Sequence, residues 1–431
     1  MIKKSVLQNN IVLITEPVES SNTVAIGFYF AVGSRFEGPG RRGISHFCEH
    51  LLFKGTSNRS RRDIALTFDR MGGMVNAFTE RDDVCMYCVI PSSQENVFTA
   101  LNSLSDMAYN CNFPVNELEK ERSVVCNEIS VVEDDSEESA LDALAATIWK
   151  GSPLSQNITG TVEDVMLLSR EAVEDWYDTY FRKGELTVFV TGSFDVNQVE
   201  NILKALPERK PCLEYPKALH TEKSLFWNSG VFHKKSSFAQ TQMYQVYPFE
   251  MPLTCGRYYA LLVLNSLFGD TMSSRLFESL REQKGLCYSV YSFFSCYEDV
   301  GIWASCVSCD LKSAKEASHS LIEEYNLLLK GISDSEIEAA KEHLCGEEIM
   351  GGEDVEYVMK RLARNLAMGL PLLTTEETVA TIRKVPKCDI IDMAHSLIES
   401  GLGTFFSFGK KNPGIENCIS KKLKFFEVPD S

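Results

Sequence analysis

Residues 40–56 read GRRGISHFCEHLLFKGT, and within them His46-Phe47-Cys48-Glu49-His50 spells H-x-x-E-H. The whole chain holds only 7 histidines, so two of them beside a carboxylate in one short run is a concentrated signal. Gly43 before the run and Gly55 after Leu51-Leu52-Phe53 bound a predicted helix of about three turns. At helical pitch His46 and His50 lie roughly 40° apart and one turn removed, so both rings reach one ion. Glu49 is displaced by roughly 60° to 100° on the same side, close enough to act on a water there without ligating. The same spacing also suits two satisfied core histidines on an amphipathic helix.

A zinc site needs a third protein ligand. The stretch from Pro114 to Ile129, PVNELEKERSVVCNEI, predicts a long helix opened by proline in its first turn. Glu121 and Glu128 are seven apart on one stripe, with Val124 and Val125 between them. A carboxylate facing inward beside valines needs a partner, because an unpaired buried charge is costly. A solvated acidic face is the alternative for a segment this rich in glutamate.

The run GRRGISHFCEHLLFKGT, followed by EKERSVVCNEI with Glu128 placed 78 residues after His50, resembles the family of pitrilysin, insulin-degrading enzyme and mitochondrial processing peptidase. The resemblance implies a zinc peptidase with His46, His50 and Glu128 as metal ligands, one zinc ion per chain and Glu49 as general base. Glu121 matches the family's second glutamate, which supports the metal site from behind. Asn76-Ala77-Phe78-Thr79 resembles the edge strand that receives the substrate backbone. Cys48 departs from the apolar residue usual at its position, and a small buried thiol fits there.

A second signature lies far downstream. Arg281-Glu-Gln-Lys-Gly-Leu-Cys-Tyr288 resembles the family's C-terminal motif, in which an arginine and a tyrosine seven residues later reach across to the active site. Locally, SSRLFESLREQK predicts a helix stopped by Gly285, and Leu286 to Phe293 alternate as a strand. Tyr288 on that strand could donate its hydroxyl to a developing oxyanion.

With 431 residues, 44% hydrophobic and 24% charged, the chain has an ordinary soluble composition and the length for two or more domains. No sustained apolar stretch marks a signal peptide or a transmembrane span. Fourteen cysteines without a secretion signal favour free thiols in a reducing, cytoplasmic compartment. A net charge of −17 argues against nucleic acid and serves solubility. Cys85/Cys88 and Cys306/Cys309 form two C-x-x-C pairs, but both fall in strand-like runs where positions i and i+3 face opposite ways. Buried small hydrophobes are therefore expected there instead of a structural zinc.

Those pairs stand 221 positions apart, and the offset recurs. Glu117-Leu118 and Cys126…Glu128 match Glu336-Ile337 and Cys345…Glu347 at 219, and Thr187 and Gly192 match Thr404 and Gly409 at 217. The predicted fold is α+β: two tandem homologous α/β units of about 210 residues, their mixed or antiparallel sheets covered by helices. Residues 1–210 form the predicted catalytic unit and 225–431 the second, joined by a linker over 206–224. The second unit lacks H-x-x-E-H, and Ala340 stands where Glu121 stands in the first.

By resemblance, the two units form half of a clamshell, and two copies of the chain enclose a chamber as a homodimer. The expected activity is metalloendopeptidase cleavage of peptides or unfolded polypeptides, with no nucleic-acid or membrane partner. A non-catalytic relative would share the fold, whereas a zinc-dependent binding or scaffolding protein would need the ligands but not Glu49 or Tyr288.

Overall fold

The computed structural model describes residues 1–209, 227–412 and 414–415. Most of the expected linker lies outside the described residues. Its first part is tied back to the turn between the first two strands, where Asn9 Nδ2 donates to the Leu206 carbonyl at 3.1 Å and Asn10 Nδ2 to the Arg209 carbonyl at 2.7 Å.

The first unit runs β1 Lys3–Val6, β2 Val12–Pro17, β3 Thr23–Phe30, α1 Ile44–Leu52, α2 Arg61–Met71, β4 Met74–Thr79 and β5 Val84–Pro91. It continues with α3 Gln94–Asn110, α4 Val115–Asp134, α5 Ser136–Ile148, α6 Val162–Leu167, α7 Arg170–Trp176, β6 Leu186–Gly192 and α8 Val196–Lys204. The second unit runs β7 Gly230–Lys235, β8 Thr241–Glu250, α9 Cys255–Asn265, β9 Ser289–Cys296 and β10 Val300–Cys309. Helices α10 Ala314–Lys330, α11 Asp334–Gly351, α12 Val355–Ala367, α13 Thr375–Lys384 and α14 Lys387–Ile398 precede the last strand, β11 Thr404–Gly409.

The first sheet has the order β1-β2-β6-β3-β5-β4 and the second β7-β11-β8-β10-β9. Without β1 the two orders coincide element by element. The parallel pair recurs as well, as β2 with β6 and β7 with β11, the other pairings being antiparallel. Helices α4 and α5 start at Val115 and Ser136, and α11 and α12 start 219 positions later at Asp334 and Val355. The duplication and the α+β class read from the sequence are what the fold shows. The first copy opens with three strands before its first helix and the second with two.

The central strands TVAIGFYF and LTVFVTG are largely apolar and buried almost throughout, which requires cover on both faces of the sheet. Helices α1, α3 and α8 bury the inner face. The outer face is closed by α12 of the other unit, whose Val358, Met359 and Leu362 pack on Ile14, Ala25, Tyr87 and Phe189. Gly27 on β3 makes room for this helix, because a Cβ there would lie 2.7 Å from Met359 Sδ. The exchange is mutual. Ala140, Ala143, Leu144 and Ile148 of α5 pack on Tyr244, Val246, Ile302 and Phe406 of the second sheet. Each unit thus lends the helix after its longest one to its neighbour.

Cys85 and Cys88 lie on β5, Cys306 and Cys309 on β10, all four buried and free, as small hydrophobes. No described helix is long and apolar enough to cross a membrane.

Candidate active site

Helix α1 is a nine-residue element whose Ile44, Phe47, Cys48, Leu51 and Leu52 are fully buried. Its other side turns His46, Glu49 and His50 toward a cleft, and burial pushes the Cys48 thiol well up and so keeps it protonated. Helix α4 packs across α1 and buries Leu118, Glu121, Val125 and Ile129. That stripe leaves Glu128 half-exposed at the cleft, one turn past Val125.

Among the described residues, His46, His50 and Glu128 are the one group of three or more His, Cys, Asp or Glu placed for a single ion, with ligand atoms within 4.8 Å of one another. His46 Nε2 lies 3.7 Å from Glu128 Oε1 and His50 Nε2 lies 3.4 Å from Glu128 Oε2. These separations are long for hydrogen bonds and resemble the edges, roughly 3.3–3.5 Å, of a tetrahedron with zinc-ligand arms of about 2.0–2.2 Å. Two imidazoles and a carboxylate form the donor set of a zinc site that keeps one position open. The residues fit the ion.

Behind the cluster, the Nδ1 of His50 is hydrogen-bonded to Glu121 Oε2 at 3.2 Å. A carboxylate only accepts, so Nδ1 carries the proton and the Nε2 lone pair faces the cleft. The other Glu121 oxygen takes Lys54 Nζ at 2.8 Å. Burial works against the Glu121 carboxylate, but His50 and Lys54 outweigh it and hold its pKa below the usual range. For His50, burial opposes the charge, while Glu121, Glu49 and Glu128 raise the pKa overall. His46 is pushed down to about 4 by burial and by its neighbour His50, so it is neutral at pH 7. Glu49 is 8% exposed, and burial raises its carboxyl against the opposing pull of His50 and of Thr79, whose Oγ1 donates to Oε2 at 3.1 Å.

The cleft encloses about 610 Å³, and its lining includes Asn76, Ala77, Phe78 and Thr79 together with the metal cluster. Those four residues lie on β4, the edge strand, which among the described residues pairs only with β5 and leaves its other edge open to an extended chain. Thr79 turns inward to Glu49, and the alternate residue Phe78 turns outward against Tyr29 and Tyr87.

Arg281 and Tyr288 stand elsewhere. Arg281 is on a π-helical segment, Phe277–Gln283, with its guanidinium over the Phe277 ring. Tyr288 is 76% exposed just before β9, its N–H donating to the Ser308 carbonyl at 3.0 Å. Neither lines the cleft of its own chain.

Sequence reasoning missed Lys54, Glu138 and Asp142, all of which line the cleft. Lys54 was within reach, standing four positions after His50 in the turn that ends α1 at Leu52. Glu138 and Asp142 sit on α5, beyond the break at Asp135, and only the turn between α4 and α5 aims them at the metal cluster. Burial raises the Asp142 carboxyl, and Arg81 opposes that.

Comparison with known proteins adds an independent line. Residues 12–162 match the insulinase family, peptidase family M16, and residues 167–344 match the peptidase M16 inactive domain. The uncharacterized zinc protease YmxG of Bacillus subtilis is 34% identical over 367 residues, 85% of this chain and 88% of that protein. An uncharacterized zinc protease of Rickettsia felis is 29% identical, with 92% and 95% covered. Among solved structures, a Helicobacter pylori protease superposes with a TM-score of 0.82 at 19% identity, over 95% of this chain and 99% of that one. A chain of Candida albicans complex III is also similar, at a TM-score of 0.75 and 17% identity, covering 95% and 96%. At these identities the structural likenesses speak for the fold alone.

Proposed function

We propose, from the fact that this chain belongs to the M16 (insulinase) family of peptidases, that it is a zinc metalloendopeptidase acting on peptides and unfolded polypeptides held in extended form. The observation that carries this reading is the convergence of His46, His50 and Glu128 on one point, with Glu49 beside them and the open edge of β4 along the same cleft. The complex III likeness raises the alternative of a non-catalytic relative, but the metal cluster and Glu49 are all present here.

One zinc ion per chain would be held by His46 Nε2, His50 Nε2 and the Glu128 carboxylate, and would supply a Lewis acid for the water and the scissile carbonyl. The chain's own residues do the rest. Backbone groups on the free edge of β4 pair with the substrate backbone, a mode that tolerates many sequences. Glu49 takes the proton of the attacking water on Oε1, since Oε2 is engaged by Thr79, and returns it to the leaving amine. Glu128, Glu138 and Asp142 make one wall acidic, which favours basic side chains near the scissile bond.

Arg281 and Tyr288 would then act on the cleft of a second copy, two chains facing each other as a homodimer around a closed chamber. The high exposure of Tyr288 supports this assignment. Free thiols throughout the described residues favour the cytoplasm. The deciding experiment is hydrolysis of a quenched fluorescent peptide. Chelator should abolish it, zinc should restore it, and Glu49→Gln should abolish it while zinc content stays at wild-type level. Wild-type turnover by Glu49→Gln would overturn the mechanism.

A further inference from the structure

Helix α1 starts without a cap of its own. In the same unit α2, α3, α5, α6, α7 and α8 each open on a serine, threonine or aspartate whose side chain accepts a backbone N–H. Helix α1 opens on Gly43, which has no side chain to offer. No other residue fits there. The Gly43 φ is 76°, in the left-handed region, and a Cβ would lie 2.4 Å from the Thr159 carbonyl oxygen. Gly160 is its counterpart, at φ 71° with a Cβ that would lie 3.0 Å from the Arg42 oxygen. The two glycines clamp the helix start to the loop that brings Ile158 and Thr159 into the cleft.

The missing cap comes from Glu37. Its Oε2 accepts the Gly43 N–H at 2.7 Å and its Oε1 accepts the Ser45 N–H at 2.8 Å, both bonds buried. The carboxyl group satisfies two of the orphan donors at once, and burial pushes its pKa up to about 8 against the pull of the Ser45 and Gly43 N–H groups. The segment carrying Glu37 is anchored at its other end to the substrate strand. Ser34 N–H donates to the Glu80 carbonyl at 3.2 Å and Arg35 N–H to the Arg81 carbonyl at 2.9 Å, in the turn that follows β4. The Arg35 guanidinium also bridges Asp82 and Asp299, at 3.4 and 2.6 Å, and so ties this turn to the second unit.

We infer that Glu37 is a positioning residue: it caps α1 from a brace fixed to the end of β4, and so sets His46 and Glu49 relative to the strand that would receive substrate. The inference rests on the peptidase reading above. Its consequence is that loss of the cap should damage turnover before it damages substrate binding, because β4 keeps its place while α1 shifts. A displacement of about 1 Å at the reacting groups can cost ~10²-fold in rate.

The test is Glu37→Gln, which is isosteric but turns an N–H₂ group toward one of the two backbone donors. The expected result is a kcat on a quenched peptide lowered about 10- to 100-fold, a KM within about twofold of wild type, and zinc affinity by chelator competition weakened about tenfold. Ser60→Ala, which removes the ordinary cap of α2, is the control for plain destabilisation and should lower Tm without moving kcat or zinc affinity. If Glu37→Gln does not fold, Glu37→Asp carries the same test, since it keeps the carboxyl group but falls one methylene short of both N–H groups. Wild-type kcat and zinc affinity in the variant would overturn the inference, as would losses no larger than those of Ser60→Ala. An inactive wild-type protein that binds no zinc would instead overturn the peptidase reading, so the two failures are separable.

Discussion

Thr79 Oγ1 donates a hydrogen bond of 3.1 Å to Glu49 Oε2, joining the edge strand of the first sheet to the proposed general base on α1. The contact fixes the carboxylate plane and leaves Oε1 for the proton. Thr79→Val keeps shape and removes the donor, so kcat should fall about 10-fold or more with little change in KM. Steady-state kinetics on a quenched peptide reads this directly, and an unchanged kcat would remove Thr79 from the machinery.

Lys54, Glu121 and His50 form a chain of contacts that ends at the proposed metal. Lys54→Met deletes the cation and leaves Glu121, 5% exposed, with only His50 to hold its charge. Zinc affinity should drop about tenfold in chelator competition, in line with the effect of such outer partners in metal sites. Equal affinity in wild type and variant would show that Glu121 needs no help from Lys54.

Tyr288→Phe should lower turnover by ~10² to 10³, the usual cost of one oxyanion donor, with zinc content intact. Arg281→Ala should act similarly, with a larger share in KM. Because neither residue lines its own chain's cleft, mixing the inactive Glu49→Gln and Tyr288→Phe proteins should regain activity through hybrid dimers with one complete site. A mixture no more active than its components would rule out contribution across a dimer.

The exchanged helices make the two units interdependent. Residues 1–209 alone would expose Ala140, Leu144 and Ile148 on α5, together with Ile14, Ala25 and Phe189 on the sheet face that α12 covers. A fully buried leucine or isoleucine contributes about 1.5–3 kcal/mol, so the isolated unit should aggregate or melt without a cooperative transition. Co-expressed with residues 227–431 it should be recovered as a complex. A monomeric first unit with a sharp thermal transition would contradict this account of the packing.

Asp83, in the turn after β4, has its carboxyl pushed up to about 7 by burial and by Glu80 and Asp82, and its Oδ1 has no hydrogen-bond partner. A folded-state pKa above the unfolded value of about 3.9 means that protonation favours the fold. That stability is complete below about pH 4 and is lost as pH rises to about 7. Asp83→Asn should therefore melt higher than wild type at neutral and alkaline pH, by a margin that closes as pH falls toward about 4. A constant margin across that window would show that Asp83 ionisation does not limit stability.

The sequence by itself determined whatever depends on short-range periodicity. His46, Glu49 and His50 share one face of α1 because helical pitch puts them there, and Glu121 and Glu128 share a stripe of α4 for the same reason. The duplication was legible too, since equal offsets survive in α4 and α5 against α11 and α12. The largely apolar central strands call for cover on both sheet faces but do not say by which helices. That α12 covers the first sheet and α5 the second was decided by tertiary packing, because any amphipathic helix of suitable width meets the same local rule. The same packing brought Glu138 and Asp142 to the cleft and left Arg281 and Tyr288 out of it. Such placements depend on rigid-body angles between elements far apart in the chain, which no local spacing encodes. The cap on α1 is of this kind: Gly43 shows only that a cap is missing, and the fold brings Glu37 to supply it.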